Sequence, residues 1–163
     1  YTPINGILVL IPEATTRSAA EANSTGYLAS EDLRVVAEVM QVRVPILGVV
    51  CDGENVPGLT DFLKRLPVER RKQRLGRKLP YVPHLTPLER AEMVENAVRW
   101  ECSTLVPRLV YRVMPTGDPD QSGRLFRFAA AVAARQEHFA KLFTQTLAPE
   151  NNPGVVLPGG SFL

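Results

Sequence analysis

The chain has 163 residues, which allows one domain or one plus a subdomain, and a net charge of +2, which by itself points to no particular partner. Two cysteines, Cys51 and Cys102, are too few and too far apart for a disulfide framework or a metal site, and read as two buried thiols in a reducing compartment. No run reaches the ~18 apolar residues of a membrane span, and no stretch reads as a signal peptide. The chain opens Tyr1-Thr2-Pro3 without Met and stops just after Gly159-Gly160, so it is read as part of a longer protein.

In chain order, Ile7-Leu8-Val9-Leu10-Ile11 is a continuous apolar run ended by Pro12, expected as a strand buried on both faces. Residues 13–26 are small and polar and read as a surface loop with at most one helical turn. A helix is expected over about Tyr27–Val42, with Ser30 as N-cap and Leu33, Val36, Ala37 and Met40 on one face. Ile46–Cys51 is a second strand of the fully buried kind. Strand, helix and strand in this order predict a parallel, right-handed crossover. The turn Asp52-Gly53-Glu54-Asn55 then leads through Pro57 into a helix with Leu59, Phe62 and Leu63 on one side.

Residues 64–78 hold eight Lys or Arg and one Glu. Such a cluster can hold an anionic membrane surface or an acidic protein face through Arg70, Arg71, Lys72 and Arg74. The favoured reading is a solvated helix face with its long side chains in water. Nucleic acid is not expected, because aromatic interleaving and a recognised binding motif are both missing. After the proline-punctuated connector 79–86, Thr86-Pro87-Leu88-Glu89 is a helix start with a capping box. That helix is expected to reach Met114, with Val94, Val98, Cys102, Leu105, Leu109 and Val113 as its stripe and a kink at Pro107. A last helix is expected over about Ser122–Leu147, burying Leu125, Phe128, Val132, Phe139 and Phe143. Val155–Leu157 reads as a short edge strand.

Catalytic constellations are thin. His84 sits between prolines and His138 beside Glu137, neither with a partner at a defined spacing, so both read as structural or solvated. Asp52, Glu54 and Asp61 lack the spacing of a Ca²⁺ loop, and Trp100 reads as packed at a helix interface. No G-x-x-x-x-G-K-[ST] occurs, so nothing in the chain cradles a β-phosphate or holds Mg²⁺. The loop after a buried strand lies at the carboxyl end of the sheet, where open α/β folds place ligands, so 52–55 is where nucleotide chemistry would show.

The ordered motifs carry a resemblance. Pro3-Ile4-Asn5-Gly6-Ile7-Leu8, Pro45-Ile46-Leu47, Val56-Pro57-Gly58-Leu59 and Gly154-Val155-Val156-Leu157 resemble, in the same order, segments of the IcmF/TssM family of large inner-membrane proteins of type VI secretion systems. The resemblance implies an α/β fold: a partial P-loop-GTPase-like parallel sheet over 1–80, without its phosphate-binding loop, then a helical subdomain of two long helices over 81–148 and a tail over 149–163. It implies a cytoplasmic segment of a larger membrane protein, whose partners are membrane and baseplate subunits. Family members with a nucleotide site carry a Thr-Lys-x-Asp type motif, whose Asp pairs with guanine and whose Lys packs over the ring. The matching positions here are Cys51, Asp52, Gly53 and Glu54, so an acid replaces the lysine and a longer acid replaces the aspartate. No cofactor is therefore expected, and GTP is the one candidate. The favoured reading is a structural and interaction scaffold of such a secretion complex; two rivals remain: the distal half of an active GTPase or ATPase reading guanine through Asp52 and Glu54, and an unrelated α/β interaction module.

Overall fold

The computed structural model describes residues 4–41, 44–71, 75–80, 82, 84–114, 118–149 and 157–162. The elements are β1 (Ile7–Pro12), α1 (Ala19–Met40), β2 (Pro45–Cys51), α2 (Leu59–Arg65), α3 (Val68–Arg71), β3 (Gly76–Lys78), α4 (Pro87–Trp100), α5 (Val106–Arg112), α6 (Pro119–Ala134), α7 (Gln136–Leu147) and β4 (Leu157–Phe162). The sheet order is β1-β2-β4-β3. β1–β2 and β2–β4 run parallel, while β3 joins β4 antiparallel. The chain is α/β, but its sheet is mixed rather than purely parallel.

The two apolar runs form strands as read, with Ile7 opposite Ile46 and Pro12 opposite Cys51. Only one face of β1 is covered, however. Ile11 is buried, while Leu8 and Leu10 are 57% and 60% exposed. A continuous apolar run states that either face could be covered, not that both are. On β2 the covered side is Ile46 and Gly48. A Cβ on Gly48 would come within 2.5 Å of Phe143 Cε1, so α7 approaches the strand more closely than any larger residue would permit.

The stretch read as a surface loop is the start of α1. Ser18 Oγ accepts from the Glu21 N–H at 3.2 Å and its hydroxyl donates to Glu21 Oε2 at 3.0 Å, a Ser-x-x-Glu start that was present in the sequence and overlooked. Ser30 is not a cap; it lies in mid-helix and donates to Tyr27 O at 2.9 Å. Ala22 and Gly26 are buried. A Cβ on Gly26 would sit 3.0 Å from Leu142 O, so the small residues that suggested a loop instead let α1 lie close against α7.

β4 also departs from expectation. The strand includes Pro158-Gly159-Gly160 and lies inside the sheet, not at its edge; Val155 and Val156 fall outside the described residues. The β2–β4 register shifts between Ile46 and Leu47, and such an irregularity is where an interior strand tolerates proline. Gly159 fits there because a Cβ would meet Ile46 O at 2.9 Å and Pro45 Cβ at 3.1 Å.

The capping box at Thr86 forms as read: Glu89 Oε2 accepts from the Thr86 N–H at 2.8 Å, which holds the Glu89 carboxyl below its usual range. The single kinked helix becomes α4, a π turn over Glu101–Leu105, and α5 with Pro107 in its first turn. The Val106 N–H reaches back to Glu101 O, and this wider turn, rather than a kink at the proline, absorbs the irregularity. The last helix is likewise two, broken at Arg135. Leu125, Phe128, Val132, Phe139 and Phe143 are buried as expected. One hydrophobic cluster runs from Ile11 through Phe62 and Val98 to Leu147.

Cys102 is buried in the π turn, and burial, with Glu101 beside it, pushes its thiol up to about 12. The unfolded thiol ionises near 9.0, so between about pH 9 and 12 the folded state keeps a proton that the unfolded state releases. Stability present below that window is expected to fall through it. Urea midpoints measured from neutral to alkaline pH should show this decline in the wild type and a flatter profile in Cys102→Ala.

Candidate functional site

β2 ends at Cys51, and the chain turns at Asp52 in the left-handed conformation (φ 58, ψ 33), which an aspartate tolerates better than most residues. Gly53–Asn55 form one 3₁₀ turn, closed by the Val56 N–H donating to Gly53 O at 2.8 Å. Gly58 then starts α2 at φ 80, beside α6. Asp52 and Glu54 are thus brought together at the carboxyl end of β2, both exposed. The Cys51 thiol donates to Asp52 Oδ2 at 3.5 Å. Partial burial, then the hydrogen bond and charge of Asp52, raise its pKa. Cys51 is half-buried rather than fully buried, and both cysteines are free.

Behind the turn lies a cleft of about 530 Å³. Its walls are mainly apolar, with Val50, Phe62, Leu109, Phe128 and Phe139 among them; Asp52 and Arg70 also line it. A shallower groove on the other side of the turn places Glu54 with Lys64 and Arg71. Among the described residues no group of three His, Cys, Asp or Glu side chains could hold a metal ion.

The basic cluster is not one helix face. It covers the end of α2, all of α3 and β3, while Lys72 and Arg74 lie outside the described residues. Arg71 is committed: Nε donates to Leu66 O at 2.9 Å and Nη2 to Lys64 O at 2.8 Å, closing the end of α2. Arg77 is committed too. Its N–H donates to buried Glu101 Oε1 at 2.7 Å, and its guanidinium lies 5.6 Å from the Trp100 ring centre. Trp100 is accordingly 36% exposed and capped by a cation, not packed between helices. Arg70 is exposed, and among the described residues it makes no ion pair.

Sequence reasoning missed Glu13. It was assigned to a surface loop, yet its side chain is 2% exposed. Oε2 accepts from Arg17 Nη2 at 3.0 Å and Oε1 from Arg135 Nη1. The break between α6 and α7 therefore sits where Arg135 reaches the end of β1. His138 is structural, with Nδ1 2.8 Å from Thr16 O. The Arg135 and His138 contacts each span 122 residues, and no local pattern could have announced them.

The chain is an α/β segment with a mixed four-stranded sheet and an acidic turn at the carboxyl end of an inner strand. The family model for the IcmF-related N-terminal domain matches residues 1–160, and the chain belongs to that family. No curated protein and no solved structure matches it. Family membership supports an IcmF/TssM-like type VI secretion protein and points to part of a membrane protein. Among the described residues no helix is long and apolar enough to cross a membrane.

Proposed function

We propose that this segment works as a structural scaffold of a type VI secretion-like envelope complex, at the cytoplasmic face of the inner membrane, in a GTPase-like domain whose base-recognition turn has degenerated. The observation that carries this reading is Asp52, a carboxylate held by a left-handed backbone at the position where the resemblance calls for a base-stacking lysine. Guanine recognition of that kind needs one carboxylate for the ring N–H groups and one long aliphatic cation over the ring. Two adjacent exposed carboxylates supply the first twice and the second not at all. The cleft behind the turn is mainly apolar, and Arg70 and Arg71 are the cations that line it, Arg71 already bonded to backbone carbonyls. Exposed helix faces and Arg70 remain as surfaces for the membrane and baseplate subunits of such a complex, or for anionic lipid.

One observation favours a second reading. Lys64 and Arg71 share a groove with Glu54, so a cation does lie near the turn, as a working guanine site would need. Arg71, however, already serves backbone carbonyls. Fluorescence titration with a mant-labelled GTP decides between the two. The scaffold reading expects no saturable signal in the micromolar range; saturable binding that Glu54→Ala abolishes would establish the guanine-nucleotide reading.

A further inference from the structure

The described arginines that lie near carboxylates use them: Arg17 and Arg135 pair with Glu13, Arg34 with Glu31 and Glu38, and Arg99 with Glu95. Four others do not. Arg108 and Arg112 on α5, and Arg124 and Arg127 on α6, are all exposed and make no ion pair or hydrogen bond among the described residues. Arg108 lies one turn before Tyr111, which belongs to an aromatic pair that solvent reaches. Tyr111 and Phe126 meet edge to face with ring centres 6.1 Å apart, yet are 67% and 48% exposed.

Arg112 lies one turn after Arg108, so these two share a face of α5 that borders Tyr111. On α6, Gly123 and Ala130 lie one turn either side of Phe126, so the ring borders a floor of small residues, and a Cβ on Gly123 would meet nothing within 4 Å. Arg127 and Arg124 border that floor on the side toward α2, where the Arg124 backbone faces Gly58. The acids on these two helices are Asp118 and Asp120, at the start of α6, and the Asp118 carboxylate is occupied by the Gln121 N–H at 3.0 Å.

We propose that the Tyr111–Phe126 pair and the arginines around it form a docking surface for an acidic protein segment that also offers an apolar side chain to the floor beside Phe126. Charge complementarity selects the acid: guanidinium forks take carboxylates in bidentate fashion, and these four have none. The residue types select a protein over a membrane surface. Every cation in the patch is arginine and none is lysine, and arginine with tyrosine is the composition of interface hot spots, from which lysine is depleted. The proposal deepens the scaffold reading and rests on it.

The test uses the whole chain and a labelled synthetic amphipathic helix carrying Glu on one face and Leu beside it, followed by fluorescence anisotropy. Expected is salt-sensitive binding that weakens about tenfold or more in Arg108→Glu/Arg112→Glu and in Tyr111→Ala, and little in Arg70→Glu. All the altered side chains are exposed, and circular dichroism checks that each variant folds. Absence of binding, unchanged binding by Tyr111→Ala, or displacement of the peptide by phosphatidylglycerol vesicles that engage the same arginines would overturn the proposal. Any of these leaves the mant-GTP titration, which tests the scaffold reading itself, unaffected.

Discussion

Replacing Gly58 by alanine is expected to cost about 3 kcal/mol of stability. Two independent penalties meet at this residue. Its φ of 80 lies in the left-handed region, where a side chain costs about 1–2 kcal/mol. A Cβ would also overlap the Arg124 carbonyl oxygen and lie 3.1 Å from Phe128 Cβ, and overpacking of this kind costs about 1–3 kcal/mol. Neither neighbour can yield cheaply. The first is helix backbone, and the second belongs to a buried ring stacked on Phe62 at 4.9 Å. Gly58 is therefore the hinge that lets α2 leave the acidic turn and lie against α6. Gly123→Ala on the same helix α6 is the control, because its Cβ would enter open space; it should stabilise by about 0.5–1 kcal/mol. Urea unfolding of both variants should show midpoints moving in opposite directions.

The second large effect belongs to Arg135. Removing its side chain strands the Glu13 carboxylate at 2% exposure, with only Arg17, itself 52% exposed, to compensate. Breaking one side of a buried pair typically costs about 3–5 kcal/mol, chiefly because the surviving charge stays desolvated. Arg135→Ala should fall near the lower end, given Arg17. Adding Glu13→Gln should recover part of the loss, since the double variant no longer buries a charge. A surface comparison sets the scale: Arg34 pairs with Glu31 and Glu38 at 3.0 and 2.8 Å, but all three are at least 37% exposed, and Arg34→Ala should move the midpoint far less than Arg135→Ala. Denaturation midpoints for the two single variants and the double variant give the coupling directly.

Much of this architecture was legible in the sequence, and the failures have physical causes. Apolar runs at 7–11 and 46–51 became strands because their short length, β-branched residues and flanking proline and turn residues favour strand over helix. The Thr86 capping box formed because its hydrogen bonds are local. What local pattern could not convey was depth. Glu13 looked like a loop residue, and only the return of Arg135 from far along the chain makes its burial tolerable. Residues Ala22 and Gly26 looked like loop because they are small, whereas they are small to admit α7. The short edge strand read over 155–157 stops before Pro158, whereas a register shift in the neighbouring strand accommodates Pro158-Gly159-Gly160 as strand. In the candidate site, Asp52 and Glu54 do share the turn at the end of β2. The commitment of Arg71 and Arg77 to backbone and ring contacts was not visible, because charge counts do not say where a guanidinium points.

The acidic turn is the feature on which the scaffold reading depends, and nucleotide-induced stabilisation of the complete parent protein tests it most directly. A ligand that binds only the folded state stabilises it by RT ln(1 + L/Kd), where L is its free concentration, and so raises the melting temperature as that concentration exceeds Kd. With excess GTP or GDP and Mg²⁺, the melting transition of this domain is expected to stay where it is without nucleotide. A clear upward shift that disappears in Glu54→Ala would contradict the scaffold reading and make the turn a working guanine site.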